Sequence, residues 1–334
     1  AELISLRNPD EPYGSLFFHP LDWLKRVIDE YSLKQANQGL FPRGLPAGWV
    51  GNLKTIFFTL EDTFNWLIKQ ISVQPSPFLG YIHVLPPHDP YNTRKEFVNR
   101  FDDHWLPPQK PAHFLGNLAS DQKTMNRSRQ FYDEYLLYVD AEFNRLYLAL
   151  EKEGLLKNTI LIVTSDHGEM FERNVVGHNA PLLYEQVTHV PLLVFHPQRQ
   201  SQHISSPTSA VDLFPTLLQA TGLPVPDWCE GQALPGFLDE PTTDRDSSIF
   251  AVQAIQNPKL QPLKKATLAV WRDQFKLTNY MGYPGFDDSF ELYDLSNDPE
   301  ELENLYEIQP NIAKELKAEL ETRRVKADTP YHSS

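Results

Sequence analysis

The stretch from residue 158 to residue 194 constrains the fold of this chain more than any other part of the sequence. Residues 159–164 are a continuous run of β-branched and aliphatic side chains, typical of a parallel strand covered on both faces. Residues 190–195 repeat this pattern, and we expect the second buried strand to lie beside the first. The two strands predict an α/β fold with a mostly parallel sheet.

Ionisable side chains follow the first strand at the point where it ends. Asp166 and His167 stand in the polar cluster that closes the strand, and Gly168 behind them allows the backbone to turn tightly. Ligands of open α/β sheets bind beyond the carboxyl ends of strands, and a carboxylate beside a neutral imidazole can hold a divalent cation. An Asp-His pair in a loop is, on its own, more often a cap or a turn. The pair therefore needs support from its context.

That context is a set of motifs in a fixed order. Residues 131–156 contain FYDEYLLYVDAEFNRLYLALEKEGLL, residues 211–226 VDLFPTLLQATGLPVP, residues 271–280 WRDQFKLTNY and residues 291–305 ELYDLSNDPEELENL. In this order they resemble the long helix, the D-x-x-P-T-L-L segment and the two C-terminal signatures of the sulfatase family, within the alkaline-phosphatase-like superfamily. The resemblance implies a mostly parallel sheet flanked by helices, with a small C-terminal antiparallel α+β subdomain.

The same resemblance implies roles for individual residues. Asp166 and His167 stand at positions of metal ligands, and His88, in the segment PPHDPY, stands where a histidine binds an oxygen of the transferred group. His178 occupies a position where many sulfatases carry lysine, and imidazole can also donate a proton near neutral pH. We expect metal binding by Asp166 and His167, catalytic roles for His88 and His178, and convergence of the four side chains on one cavity.

The predicted function is metal-dependent hydrolysis of a sulfate ester by a sulfuric ester hydrolase. The substrate is expected to be a small-molecule or glycan sulfate or phosphate ester. His167 stands where arylsulfatases have asparagine, and the Asp-His version resembles phosphonate monoester hydrolases, choline-sulfate hydrolases and phosphoglycerol transferases. A phosphodiesterase, a phosphonate monoester hydrolase or a phosphoglycerol transferase therefore stays open as an alternative. So does a noncatalytic domain that has lost its nucleophile.

The resemblance implies one divalent metal ion, Ca²⁺ or Mg²⁺ with Mn²⁺ or Zn²⁺ as alternatives, and a formylglycine nucleophile. The motif C/S-x-P-x-R that yields formylglycine is absent from these residues, since Cys229 has neither the proline nor the arginine. Asp166 and His167 supply about two of the six to eight ligands that Ca²⁺ takes. We therefore expect the nucleophile and the other ligands in a preceding part of a longer protein, and an inactive chain without that part.

Composition excludes several other classes of protein. The net charge of −14 and the lack of a Lys/Arg block argue against nucleic acid as a partner, and no apolar run is long enough to predict a membrane span. One cysteine excludes an internal disulfide, which slightly favours a cytoplasmic location, although a signal peptide cannot be judged from these residues. The oligomeric state, including a homo-oligomer, is left open.

The chain is predicted to divide into a sulfatase-like α/β domain at residues 1–235 and an antiparallel subdomain at residues 236–334. The region 92–126 has mixed composition and is predicted to be an insertion near the mouth of the site. Three elements are expected before it: helices at residues 21–33 and from Thr59 onward, and an apolar strand from residue 77 that ends near His88. The subdomain is expected to contain strands at 248–252, 266–271, 275–280 and 290–295 and a closing helix at 311–326.

Overall fold

The computed structural model describes residues 31–32, 34–35, 37, 39–50, 55–102, 110–116, 121–237, 248–254, 257, 261–286 and 289–331. The chain divides into two compact units, residues 1–109 with 118–161 and residues 110–117 with 162–334. Most of the helix predicted at residues 21–33 lies outside the described residues. The domain boundary predicted at residue 235 stays a prediction. None of the helices in the described ranges combines the length and the apolarity needed to cross a bilayer.

The first unit contains two long helices and a short hairpin. Strands β1 (Ala47–Val50) and β2 (Thr55–Phe57) pair antiparallel. Helix α1 (Leu60–Val73) begins at Thr59, whose side chain accepts a hydrogen bond from the Asp62 amide, so the predicted cap is confirmed. Its apolar face packs against helix α2 (Gln122–Lys152). The buried side chains of this core are Phe41, Leu45, Leu60, Phe64, Leu67, Tyr135, Tyr138, Leu146 and Leu150.

Helix α2 begins earlier than predicted. Asp121 caps its N-terminus and accepts a hydrogen bond of 2.7 Å from the Thr124 amide. The first turn therefore falls inside the region 92–126, and the prediction of an insertion is wrong for the end of that region. Two buried glutamates tie the helix to the preceding loops, because Glu134 pairs with Arg43 at 2.6 Å and Glu142 with Arg94 at 2.7 Å.

The apolar segment before His88 is not a strand. Residues 77–85 have no regular secondary structure, and Leu79 and Tyr81 are 74% and 78% exposed. The prediction of a strand is wrong because, within the described ranges, this segment has no paired neighbour to satisfy its backbone. The turn predicted around His88 is present, since the His88 amide donates a hydrogen bond of 2.9 Å to the Leu85 carbonyl.

The second unit carries the two strands predicted from the apolar runs. Strand β3 (Leu161–Thr164) pairs with strand β6 (Leu192–Phe195), which confirms that the two lie side by side. Their side chains are half-buried or exposed, and Leu193 is 50% exposed, so the prediction of full burial is wrong. Between them lie a hairpin of β4 (Met170–Glu172) and β5 (Val175–Gly177) and the short helix α3 (Glu185–Thr188). Helix α4 (Leu213–Ala220) follows β6.

The C-terminal strands form one antiparallel sheet in the order β10-β9-β8-β7, as predicted. Their bounds are β7 Ile249–Gln253, β8 Ala266–Arg272, β9 Phe275–Met281 and β10 Ser289–Asp294. Helix α5 (Pro310–Asp328) covers the sheet with Ala313, Leu316 and Leu320, spaced to lie on one helix face. The prediction of a four-stranded sheet with a closing helix is confirmed.

A buried ion cluster joins two of the family-like motifs, 271–280 and 291–305, to Glu185 in the stretch 158–194. The Lys276 ammonium on β9 lies 2.7 Å from Glu301 Oε1 and 3.0 Å from Glu185 Oε1. The side chains of Lys276 and Glu301 are 0% exposed. Glu301 Oε2 also accepts a hydrogen bond from the Glu185 amide, and Trp271 donates its indole N–H to Glu185. The motifs are therefore held together by one charge network, in which every carboxylate has a donor.

Candidate active site

The candidate site begins immediately after β3. Asp166 Oδ1 accepts a hydrogen bond of 3.1 Å from the His167 amide and lies 3.8 Å from His167 Nε2. His167 Nδ1 lies 2.9 Å from the Gly168 carbonyl oxygen, which can only accept, so Nδ1 carries the proton and Nε2 the lone pair. Asp166 is 62% exposed at its side chain. Two acceptor atoms therefore face the same small region at the end of β3, an arrangement suited to a cation.

Gly168 is needed here because of close packing. A Cβ atom at this position would lie 2.1 Å from the Gln186 carbonyl oxygen, and the Gly168 amide donates a hydrogen bond of 2.8 Å to the Val187 carbonyl. The glycine therefore lets the loop after β3 touch the backbone of α3. The sequence indicated a tight turn at this glycine, whereas the structure gives close approach as the reason for it.

We expect Gly168→Ala to lower the free energy of unfolding by about 1–3 kcal/mol, because the alanine methyl forces the loop or α3 to move. The affinity for Mn²⁺, measured by calorimetry, should fall with it, since Asp166 and His167 precede the displaced residue. Gly39→Ala is the control, because a Cβ atom there would have no neighbour within 4 Å. Equal stability and equal Mn²⁺ affinity of the two variants would show that the close approach does not matter.

The β4–β5 hairpin brings Glu169 to His178. Met170 faces Gly177 in its register, so the residues just outside this pair face each other as well. The two-residue turn has positive φ at Arg173 and Asn174, 55° and 61°, which is the type I′ turn that fits a twisted hairpin. Glu169 Oε1 lies 2.5 Å from His178 Nδ1, and the Glu169 side chain is 5% exposed. The hairpin thus builds a buried carboxylate–imidazole pair.

The two halves of the site meet through their imidazoles. The rings of His167 and His178 lie 3.8 Å apart at an angle of 34°. One ligand atom each from His167, Glu169 and His178 lies within 4.8 Å of the others, so these three residues form a second candidate metal set. The separation of 2.5 Å between Glu169 Oε1 and His178 Nδ1 is that of a short, charge-assisted hydrogen bond, so these two atoms bind each other. The prediction of Asp166 and His167 as metal ligands stays a prediction.

His88 lies in the first unit. Its Nδ1 lies 2.9 Å from the Asp89 carbonyl oxygen and 3.1 Å from the Asp89 carboxylate, and its side chain is 25% exposed. Asp166, His167 and His178 are brought together in the second unit. The convergence of His88 on these three residues stays a prediction.

Glu169 is the site residue that the sequence interpretation missed. It stands in the polar cluster after β3, but its neighbour across the hairpin is nine positions away in sequence. The signal that could have revealed it is a pair of short apolar runs, at residues 170–171 and 175–176, on either side of an Asn-containing turn. Read as a hairpin, that segment pairs Glu169 with His178.

Comparisons with known proteins identify the family of the chain. A family profile described as Sulfatase matches residues 35–223, more than half of the chain, and one described as N-sulphoglucosamine sulphohydrolase, C-terminal, matches residues 178–326. Arylsulfatase K of Bos taurus is 26% identical over 290 residues, which are 78% of this chain and 53% of that protein. The chain spans about half the length of the curated relatives it matches.

Solved structures share the fold. The phosphonate monoester hydrolase of Agrobacterium radiobacter has a TM-score of 0.67 at 22% identity, with 92% of this chain and 68% of that chain covered. A structure solved in complex with its substrate D-glucosamine-2-N,6-O-disulfate has a TM-score of 0.50 at 27% identity, with 65% and 45% covered. The predicted alkaline-phosphatase-like fold is confirmed. By the extent of the family match, the chain belongs to the sulfatase family.

Proposed function

We propose that this chain carries part of the active site of a metal-dependent sulfuric ester hydrolase acting on a small-molecule or glycan sulfate ester. The observation that carries the proposal is the cluster after β3, in which Asp166 and His167 lie beside the hydrogen-bonded pair of Glu169 and His178. Relatives named as arylsulfatases support the ester class. The related structure in complex with a disulfated glucosamine supports a glycan sulfate as substrate.

The sulfatase family implies a divalent cation, and the residues after β3 fit one. Asp166 offers an exposed carboxylate, and the hydrogen bond at His167 Nδ1 leaves Nε2 as a ligand atom 3.8 Å away. A cation held there would supply positive charge against the ester oxygens. The mixed oxygen and nitrogen donors suit Mn²⁺ or Zn²⁺, whereas Mg²⁺ and Ca²⁺ would need further oxygen ligands.

His178 is proposed to hold the proton that the departing oxygen requires. Its Nδ1 is tied to Glu169, so Nε2 is the atom that faces substrate and can donate. The buried carboxylate fixes the ring orientation and stabilises the imidazolium form. His88 is proposed to bind an ester oxygen through Nε2, since its Nδ1 is held by Asp89.

We expect Glu169→Gln to lower kcat for sulfate esters by about 10²-fold, because a neutral amide lacks the negative charge that stabilises the imidazolium. The loss should be larger for an alkyl sulfate than for 4-nitrophenyl sulfate, because nitrophenolate departs without a proton. Glu172→Gln on the same hairpin is the matched control, since Glu172 pairs with Lys110 at 2.9 Å, away from His178. An equal loss in both variants, or no dependence on the leaving group, would contradict the role of Glu169.

The substrate class is tested on the natural gene product. We expect turnover of 4-nitrophenyl sulfate to exceed that of a phosphonate monoester and of bis(4-nitrophenyl) phosphate. Mass spectrometry of the same protein tests for formylglycine. Faster turnover of either phosphorus ester would favour the phosphonate hydrolase or phosphodiesterase alternative, and no turnover of any ester would favour a noncatalytic domain.

A further inference from the structure

A basic groove of about 800 Å³ lies in the first unit. One wall is the N-terminal part of α2, where the lining residues recur at the spacing of a single helix face. The opposite wall comes from Arg43 and from the segment that follows β2 and α1 in the chain, at residues 98–102. The helix residues on this face are Lys123, Asn126, Arg127, Gln130 and Phe131.

The charge of the groove is opposite to that of the chain. Four cationic side chains line it, Arg43, Lys123, Arg127 and Arg129, against one acidic side chain, Asp102, in a protein of net charge −14. Arg43 and Arg129 pair with carboxylates of α2, Glu134 and Asp133. Lys123 and Arg127, which are exposed, therefore carry the positive charge that these two carboxylates do not offset, and Asp102 offsets one unit of it.

The aromatic ring of Phe131 also lines the groove and contacts two of its arginines. The Arg43 guanidinium lies 3.6 Å from the centroid of the Phe131 ring, and that of Arg127 lies 5.1 Å from the same centroid. Cation–π contacts of this kind hold the two arginines in place. Arg127 is thereby positioned in advance, so less side-chain entropy is lost when it binds an anion.

We propose that this groove binds a sulfated saccharide. Sulfate groups suit Lys123 and Arg127, because guanidinium and ammonium groups donate several charge-assisted hydrogen bonds to oxyanions. Sugar hydroxyls suit the amide side chains of Asn99, Asn126 and Gln130, which can both donate and accept. The volume lies in the range of small-ligand sites. The choice of a sulfated sugar rests on the proposed function, whereas binding in the groove requires no turnover.

A short saccharide fits these observations better than a nucleic acid does. A nucleic acid makes many phosphate contacts along an extended basic surface, whereas the surplus cations here are confined to one helix face. The net charge of −14 repels a long polyanion beyond the groove. A compact ligand with few sulfates avoids this repulsion.

The test compares two double variants that remove the same charge. Lys123→Gln with Arg127→Gln alters the groove, and Lys69→Gln with Lys152→Gln removes two exposed cations elsewhere in the first unit. The probe is a trisulfated glucosamine–uronate disaccharide, with its desulfated form as reference, and binding is measured by calorimetry. We expect the dissociation constant of the sulfated probe to rise about tenfold in the groove variant and to change less than about twofold in the other. Unchanged thermal unfolding confirms that both variants are folded.

Three results would overturn the proposal. They are equal weakening in both double variants, equal affinity of the unaltered protein for the desulfated disaccharide, and tighter binding of a single-stranded oligonucleotide of the same charge. Loss of sulfated-sugar binding in the groove variant alone supports it, even when no ester is hydrolysed. Hydrolysis of 4-nitrophenyl sulfate without binding of the sulfated probe in the groove would support the proposed function and contradict the groove proposal.

Discussion

Lys276→Met is expected to lower the free energy of unfolding by about 3–5 kcal/mol, because it leaves the carboxylates of Glu301 and Glu185 without their cation inside the protein. The ammonium lies 2.7 Å from Glu301 and 3.0 Å from Glu185, and no exposed surface is left at Lys276 or at the Glu301 side chain. Methionine keeps the unbranched apolar stem and lacks the ammonium group, so the loss reports chiefly on the charge. Urea unfolding followed by fluorescence gives the free energy.

The loss of stability in Lys276→Met should depend on pH. Burial raises the pKa of Glu301 above its usual value, and the Lys276 ammonium opposes that rise. In the methionine variant no ammonium opposes the effect of burial, so the pKa of Glu301 rises further. A raised pKa in the folded state gives stability that is complete below the unfolded pKa and is lost as the pH rises through the folded pKa. The variant should therefore be less destabilised at about pH 5 than at about pH 8.

Two controls separate charge from packing. Lys314→Met on the exposed side of α5 should change the free energy of unfolding by less than about 0.5 kcal/mol. Adding Glu185→Gln and Glu301→Gln to Lys276→Met should recover part of the loss, because no buried charge is then left alone. A loss below about 1 kcal/mol in the single variant would mean that the cluster does not stabilise the fold.

Asp166→Ala is expected to remove cation binding and ester hydrolysis together. Its carboxylate supplies one of the two proposed ligands, and the loss of a direct ligand should weaken Mn²⁺ binding by more than about 10²-fold. Calorimetry with Mn²⁺ and turnover of 4-nitrophenyl sulfate by the natural gene product measure the two effects. Asp227→Ala removes an exposed carboxylate of the same unit and should leave both unchanged. Retained metal with unaltered turnover in Asp166→Ala would refute the assignment.

The parts of the fold that sequence predicts well depend on local patterns. The strands β8 and β9 have apolar runs bounded by a tight turn, and their observed bounds differ from the predicted ones by one residue. The cap at Thr59 is a hydrogen bond between residues three apart. In both cases the atoms that decide the structure lie close together in the chain, so the sequence contains the whole signal.

The parts of the structure that the sequence predicts poorly depend on contacts with residues elsewhere in the chain. Residues 77–85 have the composition of a strand, but a strand forms only beside a partner, and composition does not supply one. The pairing of Glu169 with His178 depends on the hairpin register, and the need for Gly168 depends on a carbonyl of α3. The side chains that gather after β3 could therefore be predicted, whereas the residues that contact them across the hairpin and from α3 could not.

Pulsed electron paramagnetic resonance of Mn²⁺ bound to the protein tests the central claim most directly, because it detects a histidine nitrogen coordinated to the ion. The proposal that Nε2 of His167 is a ligand and that His178 is the hydrogen-bonded partner of Glu169 predicts a nitrogen signal in the unaltered protein. That signal should disappear in His167→Ala and persist in His178→Ala. Persistence in His167→Ala, or disappearance in His178→Ala, would contradict the account.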